Sequence, residues 1–133
     1  MHALASFGEE LVGHAVATTR WLQPQDVPLL RTAYVDAVST APQCQRRGIG
    51  GAVMRCLALA VVEYDIACLS TERIAFYERL GWEKWRGSLA GRSEAGLIPT
   101  PEEQGVMILR LPRTPPLDLS ALLTIEVHPA RIW

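Results

Sequence analysis

Neither sign of charge dominates this chain: 13 Lys+Arg stand against 14 Asp+Glu, a formal net charge of −1. Without a bulk field, composition gives no argument for nucleic acid or an anionic membrane as a partner. Long apolar runs are missing too. The longest, Cys56 to Val62, falls far short of the roughly 18 residues a membrane-spanning helix requires. The three cysteines, Cys44, Cys56 and Cys68, are odd in number and include no C-x-x-C pair, which disfavours a disulfide framework and a zinc site. His2, His14 and His128 are isolated from any second ligand, so no metal is expected. No basic leader precedes an apolar stretch, and Glu9 and Glu10 interrupt the early hydrophobic residues, so the expectation is a soluble, cytoplasmic protein. What remains is one domain's worth of chain, residues 1–133. At 49% hydrophobic residues it can bury roughly two-thirds of its unfolded surface.

Residues 2–7 and 11–21 are apolar-rich segments separated by Gly8-Glu9-Glu10, which reads as an antiparallel hairpin. After the turn residues Pro24 and Asp26, the run from Leu29 to Thr40 carries Tyr34, Val35, Val38 and Thr40, and predicts a third, central strand. The pattern then becomes helical: Ile49, Val53, Cys56, Leu57, Ala60 and Val61 recur every three or four residues, and the helix is expected to end near Asp65. Ile66 to Leu69 reads as a short strand and Glu72 to Leu80 as a second helix stopped by Gly81. Strand, helix, strand implies a parallel crossover. Trp82–Trp85 and Val106–Leu111 read as further strands joined by a Gly- and Ser-containing segment and by Pro99-Thr100-Pro101-Glu102-Glu103, and Leu122–Val127 as an edge strand. These elements make an α/β protein with a central mixed sheet of about six strands and helices packed on it.

The segment Gln45-Arg46-Arg47-Gly48-Ile49-Gly50-Gly51 lies between the central strand and the first helix. Its glycines let backbone approach a ligand, and the free N–H groups of the helix's first turn suit a pyrophosphate. It lacks the G-x-G-x-x-G order of a dinucleotide fold and the Gly-Lys-Ser/Thr of a P-loop. From these residues alone, a glycine-rich helix start with no ligand stays open. So do solvated roles for Arg46 and Arg47.

The segment does match Q/R-x-x-G-x-G/A, and so resembles the acyl-CoA loop of the GNAT acetyltransferase superfamily. Phe76-Tyr77-Glu78-Arg79-Leu80-Gly81-Trp82 resembles the second hallmark of those enzymes. Further segments, Tyr34-Val35-Asp36-Ala37-Val38, Leu69-Ser70, Gly81 through Gly87, Thr100-Pro101-Glu102-Glu103 and Trp133, are together similar to the aminoglycoside 2′-N-acetyltransferases over nearly the whole chain. The resemblance implies the GNAT (acyl-CoA N-acyltransferase) fold. Members of that family carry a further strand and helix pair before the point where this chain begins, so it implies an N-terminally truncated core. A true start upstream is the other reading.

An amine must lose a proton before its lone pair can attack a thioester. The resemblance assigns that proton to Asp36, against the alternative of a strand carboxylate in a surface ion pair. CoA leaves as a thiolate, and the matching motif makes Tyr77 the general acid; otherwise Tyr77 is a packed aromatic. Acetyl-CoA is the cosubstrate. Its pantetheine arm would pair with the backbone of Val38 and Thr40, and its pyrophosphate with Gln45, Arg46, Arg47, Gly48, Ile49, Gly50 and Gly51. A polycationic acceptor calls for carboxylates: Asp36, Glu103, with Glu102 beside it, and the terminal carboxylate of Trp133, with Ser70 as a hydrogen-bonding neighbour. The function implied is acetyl transfer from acetyl-CoA to a primary amine of an aminoglycoside or related aminosugar. The alternatives are another small amine and a catalytically silent acyl-CoA-binding module. A homodimer would cover the sheet edge that the absent first strand leaves bare.

Overall fold

The computed structural model describes residues 2–7, 10–40, 49–100, 105–127 and 132–133, with side chains described for 16–36, 54–100, 105–127 and 132–133. The chain opens on strand β1 (His2–Phe7), followed by β2 (Glu10–Pro24) and β3 (Leu30–Thr40). Helix α1 (Ile49–Ala60) leads to β4 (Ile66–Thr71), and helix α2 (Ile74–Glu78) leads to β5 (Glu83–Lys84). Four strands complete the sheet: β6 (Leu89–Ser93), β7 (Gly96–Pro99), β8 (Gly105–Arg110) and β9 (Leu123–Glu126).

The strands form one sheet in the order β5-β8-β4-β3-β2-β9-β6-β7, with β1 paired to β2. The expected hairpin is present as the antiparallel β1–β2 pair, and β3 is central. β1 meets residues 10–16 of β2 while β9 meets Leu22–Pro24, so β1 and β9 share one edge of the long β2 strand. The β3–α1–β4 crossover gives a parallel pair, as expected, and β8 then adds antiparallel to β4.

Alternation along the strands divides the interior into two apolar layers. Ala33 and Val35 of β3, Ala67 and Leu69 of β4, and Met107 of β8 join one layer with Met54, Leu57 and Val61, and with Tyr77 and Trp82. Leu30 and Tyr34, Ile66 and Cys68, and Val106 and Ile108 point to the other, which holds Trp85, Leu89, Leu123, Ile125 and Trp133. The helices cover only the first face. Leu117, Leu119 and Ile132, from irregular segments, pack against the second.

Four expectations are corrected. The sheet has nine strands among the described residues, not about six. Helix α1 stops at Ala60, because Val61 and Tyr64 close the following turn by Val61 N–H to Leu57 O and Tyr64 N–H to Val61 O bonds. The Gly- and Ser-containing segment, to which the sequence assigns no strand, holds the β6–β7 hairpin, in which Ser93 faces Gly96 at φ +113°. Finally, β9 is no edge strand: it is antiparallel to β2 on one side and parallel to β6 on the other. That position comes from distant pairings that no local pattern reports.

Candidate active site

The site follows from where β3 and β4 stop pairing. Their ladder matches Thr32 to Ile66, Ala33 to Ala67 and Tyr34 to Cys68, and its register ends there. Both strands run on, β3 to Thr40 and β4 to Thr71, which opens a gap in the sheet beyond the last pair. In a right-handed crossover the helix returns antiparallel to its strands, so the first turn of α1, with Ile49, Gly50 and Gly51, lies at this same end. Its unpaired N–H groups and positive dipole end suit a diphosphate. Gln45, Arg46, Arg47 and Gly48 lie outside the described residues. Of Val38 and Thr40 only the backbone is described, in the part of β3 beyond the parallel ladder.

Asp36 follows Tyr34 by two residues and Ser70 follows Cys68 by two, so alternation places both on the face of the second apolar layer. Both are half-buried, and each has partners of its own. Trp133 lies in that same layer, with its indole Nε1–H donating to Thr100 Oγ1 at 2.9 Å. Glu102 and Glu103 lie outside the described residues. The flanking Gly105 is fixed, because it pairs with Thr71 and a Cβ there would come within 2.6 Å of Thr71 O. Ser70, the neighbouring position on β4, pairs with Val106.

Tyr77 packs in the first apolar layer, on the other face of the sheet. Helix α2 follows β4 by two residues and ends in a left-handed glycine: Gly81 has φ +94°, its N–H bonds Glu78 O, and Trp82 N–H reaches back to Tyr77 O at 3.1 Å. This is the stop that Gly81 predicts, although the helix is shorter than the expected 72–80. The Tyr77 ring is 6% exposed, held edge-on by Phe76 at 4.9 Å and Trp82 at 6.0 Å. Burial raises its phenol above the ordinary tyrosine range, opposed by the nearby Arg73 guanidinium. A neutral phenol is the form that can donate a proton. Among the cysteines, burial drives the Cys68 thiol far above its usual range and leaves it without thiolate character. No group of three or more His, Cys, Asp or Glu among the described residues could hold a metal. No helix of the described residues is long and apolar enough to cross a membrane.

Residues 2–84 match the Acetyltransferase (GNAT) domain. The chain belongs to the GNAT acetyltransferases. It is therefore an acetyl-CoA-dependent acyltransferase. Over its full length it is 30% identical to an aminoglycoside 2′-N-acetyltransferase of Mycolicibacterium fortuitum, covering 71% of that protein. Among solved structures it is similar to Eis1 from Mycobacterium abscessus, with a TM-score of 0.60 and 25% identity over 67% of this GNAT chain and 23% of that one. It also shares its fold with the GNAT family N-acetyltransferase YhbS from Escherichia coli, solved in complex with CoA, with a TM-score of 0.61 and 15% identity over 91% of this chain and 64% of that one.

Some features of this GNAT site carry no local sequence signal. Arg20, 5% exposed on β2, donates through Nε to Glu126 Oε1 at 2.7 Å and through Nη1 to Ile132 O at 2.7 Å, binding the chain's last described segment to the sheet. A charge buried this deeply requires such partners. Thr100, which accepts the Trp133 indole N–H, reads in the sequence only as part of a turn.

Proposed function

We propose that this chain transfers acetyl directly from acetyl-CoA to the 2′-amine of an aminoglycoside or a related aminosugar. The observation that carries the reading is the 30% identity, along the whole chain, to an aminoglycoside 2′-N-acetyltransferase. Alternation that puts Asp36 and Ser70 on one face of the sheet, with Tyr77 packed on the other, supports it.

In this reading the acceptor lies against the face that holds Asp36 and Ser70, with Glu103 and Trp133 as further contacts. Asp36 takes a proton from the ammonium group, directly or through water, and frees the lone pair. The amine nitrogen attacks the thioester carbonyl and forms the C–N bond. Collapse of the tetrahedral intermediate breaks the C–S bond, and Tyr77 delivers its phenolic proton to the departing sulfur. The acylated nitrogen loses its extra proton through solvent, which reprotonates the phenolate, and Asp36 releases its own proton to bulk water. Acetyl-CoA is held by the residue 45–51 segment at its pyrophosphate and by the Val38 and Thr40 backbone along its pantetheine arm, in the manner of an added strand. No acyl-enzyme forms, in keeping with the inert Cys68 thiol.

Release of free CoA thiol, followed with a panel of amines, tests the proposal. Turnover with aminoglycosides bearing a 2′-amine is expected. Turnover with small polyamines alone would move the function to another amine, and tight acetyl-CoA binding without transfer to any amine would leave only a binding module.

A further inference from the structure

Helix α2 begins with an exposed cation placed against the aromatic pair that follows it. Arg73 is fixed through its backbone on both sides: its N–H donates to Thr71 Oγ1 at 2.9 Å, and its carbonyl oxygen accepts the Tyr77 N–H at 3.4 Å. Phe76 and Tyr77 follow at i+3 and i+4, the spacings that make side chains neighbours on a helix. The Arg73 guanidinium lies over the Phe76 ring, its Cζ 4.6 Å from the centroid, and Phe76 in turn meets the Tyr77 ring edge-on at 4.9 Å. Stacking on an aromatic face holds a side chain that would otherwise sweep through solvent. Among the described residues no carboxylate neutralises it, since the ion pairs are Arg20 with Glu126 and Arg110 with Glu83.

The other described groups around Tyr77 leave Arg73 as the charge that acts on it. The first apolar layer, in which the ring packs, takes Met54 and Leu57 from α1, Leu69 from β4 and Met107 from β8, none of them titratable. Tyr64, at the margin of that layer, shares its hydroxyl with Thr19 at 2.9 Å. On β5, Glu83 is paired with Arg110 at 2.7 Å and Lys84 is exposed. Arg73 opposes the effect of burial on the phenol. We infer that Arg73 is a positioning residue for proton transfer: its guanidinium, held on the Phe76 ring, keeps positive charge beside Tyr77 and stabilises the phenolate formed when the phenolic proton passes to sulfur. The O–H bond of Tyr77 breaks and the S–H bond of CoA forms, while Arg73 itself neither gains nor loses a proton. This rests on the general-acid role proposed for Tyr77.

The variants are Arg73→Gln, which removes the charge, and Arg73→Lys, which keeps it, each made alone and together with Tyr77→Phe. Two measurements are made: steady-state kcat and KM for both substrates, and phenolate absorbance as the pH is raised, with the share of Tyr77 taken as the difference from the Tyr77→Phe protein. Arg73→Gln should lower kcat about five-fold, the scale of one partly screened charge, and leave both KM values within about two-fold. Its Tyr77 phenolate should appear at higher pH than in the parent, because losing a nearby cation disfavours the anion. Arg73→Lys should restore both readouts to within about two-fold of the parent. In the Tyr77→Phe background Arg73→Gln should cost nothing further, since the group through which it acts is gone. A raised acetyl-CoA KM at unchanged kcat would make Arg73 a direct anion contact and overturn the inference. An unmoved phenolate titration, an equal loss in the Tyr77→Phe background, or an Arg73→Lys protein as impaired as Arg73→Gln would overturn it too. The two readings fail separately: full turnover by Tyr77→Phe defeats the general-acid role, whereas a Tyr77→Phe protein that loses turnover beside an Arg73→Gln protein that keeps it defeats the role of Arg73 alone.

Discussion

Replacing Tyr77 by Phe removes one oxygen and leaves the packing in place. The ring keeps its edge-on contacts with Phe76 at 4.9 Å and Trp82 at 6.0 Å, and the glycine-terminated end of α2 depends on backbone groups alone. Stability should therefore change by at most about 1 kcal/mol, the net value of a single hydrogen bond. In a domain this size that moves the melting midpoint by roughly 3 to 5 °C. The kinetic effect should be much larger. Loss of a positioned proton donor lowers kcat by about 10² to 10⁴, equivalent to roughly 3 to 5 kcal/mol at the transition state. Thiol release at saturating acetyl-CoA and amine measures kcat, and calorimetric binding shows whether acetyl-CoA still binds. The pH dependence supplies a second check. Burial raises the phenol above its ordinary value of about 10, so the donor stays protonated across neutral and mildly alkaline pH. The same shift favours the folded state: its contribution is fully present below about pH 10 and is lost as pH rises from there through the raised folded-state value. A Tyr77→Phe protein that folds, binds acetyl-CoA and turns over within about two-fold of the parent would refute the general-acid role.

Asp36→Asn should lower kcat/KM for the amine by at least about 10², with acetyl-CoA affinity unchanged, and raising the pH should recover part of the loss as free amine accumulates. Alanine at Gly87 places a Cβ against the carbonyl oxygen of Ala121, and should cost about 2 to 3 kcal/mol in denaturant titration. A thiol-alkylating reagent should modify the exposed Cys56 in the native protein and reach the buried Cys68 only after unfolding, as peptide mass mapping would show.

The parts of this structure that are written locally were legible in the sequence. The β-branched and aromatic run within 29–40 marked β3, the short apolar run 66–69 marked β4, the three- and four-residue spacing from Ile49 marked α1, and Gly81 marked the stop of α2 because only glycine accepts its φ of +94° cheaply. Asp36 and Ser70 could be named from motif resemblance. Their common face became visible only with the register of β3 against β4. Long-range pairing was hidden. β9 joins β2 across about a hundred residues, and the Arg20–Glu126 pair spans 106 positions, so neither leaves a short-range pattern. The β6–β7 hairpin was hidden for another reason. Its strands are short, and β7 is exposed along its whole length, so no buried alternation marks it.

The central claim is direct acetyl transfer to a 2′-amine. It is tested by incubating the protein and acetyl-CoA with two aminoglycosides that differ only in an amino or a hydroxyl group at the 2′ position, and locating the acetyl group by mass spectrometry. One acetyl on the 2′-nitrogen of the first and none on the second is the predicted result. Acetylation of both at a shared site elsewhere, or of neither, would contradict it.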